Sequence, residues 1–374
     1  MAHTPYSELA RLCERLTELS GRKDKIAQIV RFLKDIDPSE AAPAALLLIG
    51  RVTPEGSEEK LEVSIAAAFE LLEEAGQLTL LDSEPPTIIE VWNTLQEIAR
   101  LRGSGSREKK LSLLRSLIHR MSDLERHWFL KQLVGEMQHG VNEGLLLEAL
   151  SELTNTPLQI VQRAFMLLGK IGDLVSLAVT SGRKGIESVK LELFRPLRPM
   201  LAEVCHDVEE FLKEVGEPVA LEYKFDGARV QIHIRGEVIR IFSRRLSEVT
   251  ESLPDIVQQV KGFTSKISEA VLDGEVVAVA DDGRPLPFQE LLRRFRRIRD
   301  VEEESERIPL RLWIFDILYL DGRELLDEPY SRRRRILEEL IPRDYLAPMI
   351  ITEKAEDVQR FMEKAIAEGH EGLM

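Results

Sequence analysis

Near residue 195 this chain loses the ability to continue as helix. The run Phe194-Arg195-Pro196-Leu197-Arg198-Pro199-Met200 carries two prolines, and each removes a backbone donor and restricts the residue before it. The patterns on either side differ. Upstream, apolar residues recur at helical spacing: Leu9, Leu12, Leu16 and Leu19 form one stripe, Ile26, Ile29 and Leu33 a second, and Leu113, Leu114, Leu117, Ile118, Met121 and Leu124 a third. A further helix is predicted to begin near Asp123, to carry Trp128, Phe129, Leu133 and Met137, and to close at Gly140. Another follows Gly144 with Leu146, Leu147 and Leu150. Asp37-Pro38 and Val52-Thr53-Pro54 interrupt the helical pattern, and Arg102 to Arg107, with two glycines and two serines, reads as a loop.

Downstream, after a predicted helix over 202–215, strands dominate. Val219 to Phe225 and Ala228 to Arg235 are expected to pair around Asp226-Gly227, and Glu237 to Phe242 to follow across a tight turn at Gly236. Val271 to Ala280 and Leu310 to Leu320 read as further strands, with helices over 286–298, 331–340 and 355–368. The reading is a multidomain chain: an all-α N-terminal domain, 1–195, then an α+β domain, 196–374, with mainly antiparallel sheet.

With 44% hydrophobic and 31% charged residues the chain reads as soluble and globular. It has no long apolar span and no basic start followed by an apolar core, so neither a membrane helix nor a secretory signal is expected. Cys13 and Cys205 lack metal-ligand spacing, which fits free thiols in a reducing cytoplasm. The net charge of −14 argues on its face against a nucleic-acid partner, although binding follows local patches. Basic runs occur at Arg293, Arg294, Arg296, Arg297 and Arg299, and at Arg332 to Arg335. By composition alone they read as solvated helix faces balanced by Glu302 to Glu304 and by Glu338 and Glu339.

The run Glu222-Tyr223-Lys224-Phe225-Asp226-Gly227-Ala228-Arg229 carries the chemistry. A lysine followed by Asp-Gly and then an arginine is the mark of an amine that attacks the α-phosphorus of a nucleoside triphosphate and keeps the nucleotide as a phosphoramidate. Locally, a hairpin turn with a solvated lysine is the competing reading. Glu222 and Lys224 share a strand face. Past the turn, Arg229, Gln231 and His233 share a polar face that suits a cleft, while Val230, Ile232 and Ile234 suit a core. An arginine's planar fork matches sugar hydroxyls and phosphates. The chemistry needs a neutral amine, which nearby cations and partial burial would favour.

This run resembles the nucleotide-binding motif of ATP-dependent DNA ligases of the archaeal and eukaryotic type. Phe242-Ser243-Arg244-Arg245, Leu272-Asp273-Gly274-Glu275, Trp313 to Gly322 and Glu371-Gly372-Leu373-Met374 resemble the later motifs of that family, in order and at family spacing. Arg195 to Ala202 resembles its linker into the catalytic domain, and Glu136 to Gly144 a segment of its DNA-binding domain. The resemblance implies that 1–195 binds DNA and that 196–374 is an adenylation (nucleotidyltransferase) domain. It implies Lys224 as the adenylated nucleophile and Glu222 as acceptor for the adenine amino group. Arg229 and Glu275 would hold the ribose hydroxyls, Arg244 would meet phosphate, Phe315 would stack on adenine, and Glu371 would support the metal. ATP and Mg2+ are the implied cofactors. Nicked double-stranded DNA is the implied partner, with a sliding clamp as a further one, in replication, repair and recombination. Gly182-Arg183-Lys184-Gly185 reads equally as a backbone-phosphate loop or as a bare surface loop.

In the family the last of these motifs continues, a further lysine motif follows, and then an oligonucleotide-binding (OB) barrel. None follows Met374, so on this reading the OB-fold is absent, the chain is a fragment, and its own activity is weak or nil. The rival readings are another lysine nucleotidyltransferase, such as an RNA ligase, a capping guanylyltransferase or an NAD-dependent ligase, and a non-catalytic DNA-binding module. The intact Lys224, Arg229 and Glu275 argue against the last.

Overall fold

The computed structural model of the protein describes residues 3–55, 61–76, 84–264, 267–295 and 301–374. Two compact units result, Met1–Lys190 and Leu191–Met374.

In the first unit the helical stripes become α1 (Tyr6–Glu18), α2 (Arg22–Asp35), α3 (Ala41–Leu48), α4 (Ile65–Gly76), α5 (Ile88–Arg100), α6 (Ser106–Ile118), α7 (Asp123–Val134), α8 (Glu143–Thr154), α9 (Leu158–Leu168) and α10 (Ile171–Glu187). Local chemistry sets several ends. Ser122 and Glu125 form a reciprocal capping box at the start of α7, and Asn142 caps α8 by accepting from Leu145 N at 3.0 Å. Gly135, in the left-handed conformation at φ 80°, closes α7. The stop is therefore five residues earlier than the expected Gly140, which lies beyond the helix. The stripes converge on one core in which Leu9, Leu12, Leu16, Ile29, Trp128, Phe129 and Leu150 are at most 1% exposed. Each such side chain contributes roughly 1.5–3 kcal/mol on burial. His139 sits in this core, stacked on Trp128 at 5.7 Å. Burial pulls its pKa down to about 4, so it is neutral there.

The second unit begins with a turn at Leu193 and Phe194, the proline segment and α11 (Val208–Val215). Its strands are β1 (Val219–Lys224), β2 (Ala228–Arg235), β3 (Val238–Ser243), β4 (Glu269–Ala278), β5 (Leu310–Leu320), β6 (Arg323–Glu324), β7 (Met349–Thr352) and β8 (Gly372–Leu373). Its remaining helices are α12 (Pro254–Lys261), α13 (Phe288–Arg294), α14 (Val301–Arg307), α15 (Tyr330–Leu340) and α16 (Ala355–Ala367). The strands form a sheet of order β7-β1-β8 and a sheet of order β3-β2-β4-β5-β6, with every ladder antiparallel.

One expectation fails here. β1 does not pair with β2. Asp226-Gly227 is the crossing from one sheet to the other, whereas the expected tight turn at Gly236 does join β2 and β3 as a hairpin. Gly227 is required by close approach: a Cβ there would lie 2.5 Å from Val276 O and 2.8 Å from Glu275 Cγ. A second correction concerns the polar face of β2. Gln231 and His233 are buried and bind the proline segment, where Phe194 N donates to His233 Nδ1 at 2.9 Å and Leu197 N to Gln231 Oε1 at 2.8 Å. Burial lowers the His233 pKa to about 3. The neutral ring accepts at Nδ1, so its Nε2–H donates to Gln231 Oε1 at 2.9 Å. Only Arg229 of that face is left to work beside the lysine.

Candidate functional site

Lys224 is the last residue of β1, about half exposed, and its ammonium forms an ion pair with Glu371. The pairing is set by backbone register. Lys224 lies opposite Gly372, and Glu371 N donates to Lys224 O at 2.9 Å. Because side chains alternate along a strand, the neighbours Tyr223 and Phe225 point the other way into a ring cluster. Both contact His370, with centroids at 5.1 and 5.0 Å, and Phe225 stacks on Trp313 at 5.2 Å. The rings flanking Lys224 and the ring preceding Glu371 thus pack together, while the amine and the carboxylate project from the opposite side.

Across the crossing, Arg229 of β2 lies opposite Glu275 of β4. Its guanidinium is held by both oxygens of Asp273, with Nε donating to Oδ1 at 2.9 Å. Its other face lies over the Phe315 ring at 5.6 Å. Asp273 is 4% exposed, and burial raises its pKa. The ladder between β4 and β5 shifts register between Asp273 and Gly274. Gly274 is needed because a Cβ there would collide with Trp313 O. Burial pushes the Glu275 carboxyl up to about 8, against the pull of Arg229, with Asp273 adding to the rise and Arg244 and Lys224 opposing it. Arg244 is exposed in the turn after β3, and its charge is felt at Glu275.

Glu222 lies two residues before Lys224, and its Oε1 accepts from the Tyr330 hydroxyl and from Arg334 Nη1 at 2.9 Å. Burial raises the Glu222 pKa. Beside Phe315, Asp316 accepts both arms of the Arg333 fork, at 2.7 and 2.9 Å.

The structure therefore brings together Glu222, Lys224, Arg229, Glu275, Phe315 and Glu371, with Arg244 at the rim. Asp273, Asp316, Tyr330, Arg333 and Arg334 belong with them and were not anticipated. The arginine run of α15 reads by charge as a solvated face, and this holds for Arg332 and Arg335 only. Arg334 is 7% exposed. It shares a helical face with the buried Leu337, a spacing that marks the buried side. In the other basic run, Arg294 is 1% exposed and binds Asp255 at 2.9 and 2.8 Å. Arg296, Arg297 and Arg299 lie outside the described residues.

Among the described residues no group of three or more His, Cys, Asp or Glu side chains is arranged to hold a metal. Glu371 is a single carboxylate beside the amine, which suits a magnesium ion carried largely by phosphate oxygens. Arg183 and Lys184 are in the first unit, and they are helical rather than in a loop. α10 kinks at Gly182 (φ 56°) and continues through them. Arg183 Nε donates to Glu187 at 2.7 Å, and Lys184 is exposed.

Residues 199–374 match the family model described as ATP dependent DNA ligase domain, and residues 52–151 match DNA ligase N terminus. The DNA ligase of Thermococcus fumicolans is 36% identical over 99% of this chain and 71% of its own length. The chain belongs to the ATP-dependent DNA ligase family. DNA ligase 1 of Korarchaeum cryptofilum is 39% identical over 98% of this chain and 70% of its own length. The ligase fold also matches the solved structure described as "Pmar-Lig_Pre.", with TM-score 0.59 and 14% identity over 98% of this chain and 73% of that one. No helix among the described residues of this ligase is long and apolar enough to cross a membrane.

Proposed function

We propose nick sealing in duplex DNA through a lysyl-AMP intermediate as the function of this ligase, with Lys224 as the nucleophile and the 374-residue chain by itself weakly active or inactive. The observation that carries the reading is the convergence of Lys224, Glu371, Arg229 and Glu275 at the crossing between two sheets. The Lys224 amine, once it has given up a proton, attacks the α-phosphorus of ATP. An N–P bond forms, the bond to the β-phosphate oxygen breaks, and pyrophosphate leaves. The nucleotide then passes to the 5′-phosphate of the nick, freeing the lysine. Attack by the 3′-hydroxyl on that activated phosphate closes the backbone and releases AMP.

Each neighbour has a task in this scheme. Phe315 offers a face for adenine, and Glu222 an acceptor for its amino group. Arg229, fixed by Asp273, and Glu275 meet the ribose. Arg244 at the rim meets phosphate. Magnesium at Glu371 and the phosphates would neutralise charge during transfer. Were Glu371 to hold that ion, its ion pair with Lys224 would weaken, which would favour the neutral amine. Residues 1–195 would grip duplex through phosphate and shape, because a sealing enzyme must ignore sequence. Arg183 and Lys184 are the proposed phosphate contacts, and intracellular replication, repair and recombination, with a sliding clamp as a further partner, are the proposed setting.

The test is transfer of label from ATP carrying radioactive α-phosphate to the chain and to Lys224→Ala. A phosphoramidate is acid-labile and base-stable, so the label should be lost in acid and kept in alkali. Equal labelling of Lys224→Ala removes the assignment of the nucleophile.

A further inference from the structure

We propose that Arg334, seated with Tyr330 on α15, determines the choice of nucleobase by holding Glu222 as an acceptor-only group. This rests on the reading of Glu222 as the residue that meets the adenine amino group. Arg334 is 7% exposed and fixed on three sides. Nη1 donates to Glu222 Oε1 at 2.9 Å, Nη2 to Ala347 O at 3.0 Å, and Nε to Glu338 at 3.0 Å. A guanidinium donates, never accepts, and stays charged. Tyr330, which shares Glu222 Oε1, also reaches Phe315 O at 3.4 Å. The helix therefore anchors both the acceptor wall and the backbone behind the stacking ring.

Two donors on Oε1 leave the lone pairs of Oε2 for the slot. Such an edge pairs with an exocyclic amine, as on adenine, and repels the carbonyl that guanine presents at the same place. A protonated carboxyl would donate instead and would accept guanine. The groups around Glu222 pull in opposite directions. Burial disfavours the ionised form, and Asp316 on β5, itself held by Arg333, adds to that; the Tyr330 hydrogen bond and the charge of Arg334 favour it. Removing Arg334 leaves a buried carboxylate short of its cation, so the proton returns and the base code changes from acceptor to donor.

The experiment is equilibrium binding of ATP and of GTP, each with excess magnesium, to the 374-residue chain and to Arg334→Met, Arg334→Lys, Tyr330→Phe and Arg335→Gln. The wild type should prefer ATP. In Arg334→Met the ATP-to-GTP preference should narrow about tenfold or more, the scale of one mispaired buried polar group. The narrowing should be larger at pH 6.5 than at pH 8.5. Arg334→Lys should fall between, and Arg335→Gln, exposed on the same helix, should match wild type. A merely structural role would weaken both nucleotides by the same factor, and that result overturns the proposal. If Arg334→Met does not fold, Tyr330→Phe decides: a smaller narrowing supports the proposal, and equal losses refute it. Glu222→Ala separates the two layers. An unchanged preference there sinks the adenine reading itself, as does a wild type that binds neither nucleotide. A preference that narrows in Glu222→Ala but not in Arg334→Met removes only the role of Arg334.

Discussion

Replacing Glu275 with glutamine should remove a specific part of the protein's dependence on pH. The carboxyl lies opposite Arg229 in the β2–β4 ladder, and burial lifts its pKa from 4.5 to about 8. A carboxyl with a raised folded value holds its proton more tightly in the native state than in the unfolded one. Its contribution to stability is therefore fully present below about pH 4.5, declines as pH rises, and is gone above about pH 8. The interval between those values corresponds to at most about 5 kcal/mol. Solvent contact and relaxation around the ionised group reduce the expected change to about 2–3 kcal/mol. The assay is urea unfolding at pH 5, 6.5 and 8.5, followed by hydrogen-exchange mass spectrometry of peptides from β4 and β5, which reports the second unit alone. Other titrating groups contribute to both proteins, so the difference between wild type and Glu275→Gln is the quantity read. It should shrink by about 2–3 kcal/mol in favour of the variant between pH 5 and 8.5. Curves that run parallel across this range would refute the burial argument.

Asp273→Asn should leave the partly buried Arg229 without its fork partner and cost about 1–3 kcal/mol in the same unfolding assay. Gly227→Ala should cost about 2–3 kcal/mol, because the added methyl meets Val276 O and Glu275 Cγ; label transfer from ATP should fall with it. The double change Arg183→Gln and Lys184→Gln should lower the slope of log affinity for nicked duplex against log salt by about 1–2. Fluorescence anisotropy at several salt concentrations measures that slope, and an unchanged value would exclude both residues as phosphate contacts.

The helical stripes and the strand over Leu310 to Leu320 were legible because burial imposes a period on the sequence, and helix and strand periods differ. What periodicity cannot carry is partner choice. Asp226-Gly227 has the composition of a hairpin turn, and only the pairing of β1 with β7 and β8 shows otherwise. The same limit applies to charge. Arg334 and Arg332 are indistinguishable by composition, yet one is buried against Glu222 and the other is exposed. Helical phase would have separated them, since Arg334 shares its face with Leu337. Gln231 and His233 were legible as a polar face, but what that face binds is the proline segment, whose path no local pattern encodes. Lys224, Glu222, Arg229, Glu275, Phe315 and Glu371 emerged as one set because their motifs recur in family order; that they meet in space is a matter of topology.

The ion pair at Lys224 joins residues separated by 147 positions, and both strands beside β1 come from the chain beyond residue 348. Bringing so distant a segment back costs closure entropy and slows pairing. On the ribosome, Lys224 therefore emerges well before the strands that flank it. A nascent chain can complete the larger sheet, whose last strand ends at Glu324, before Lys224 gains the two strands and the carboxylate that flank it.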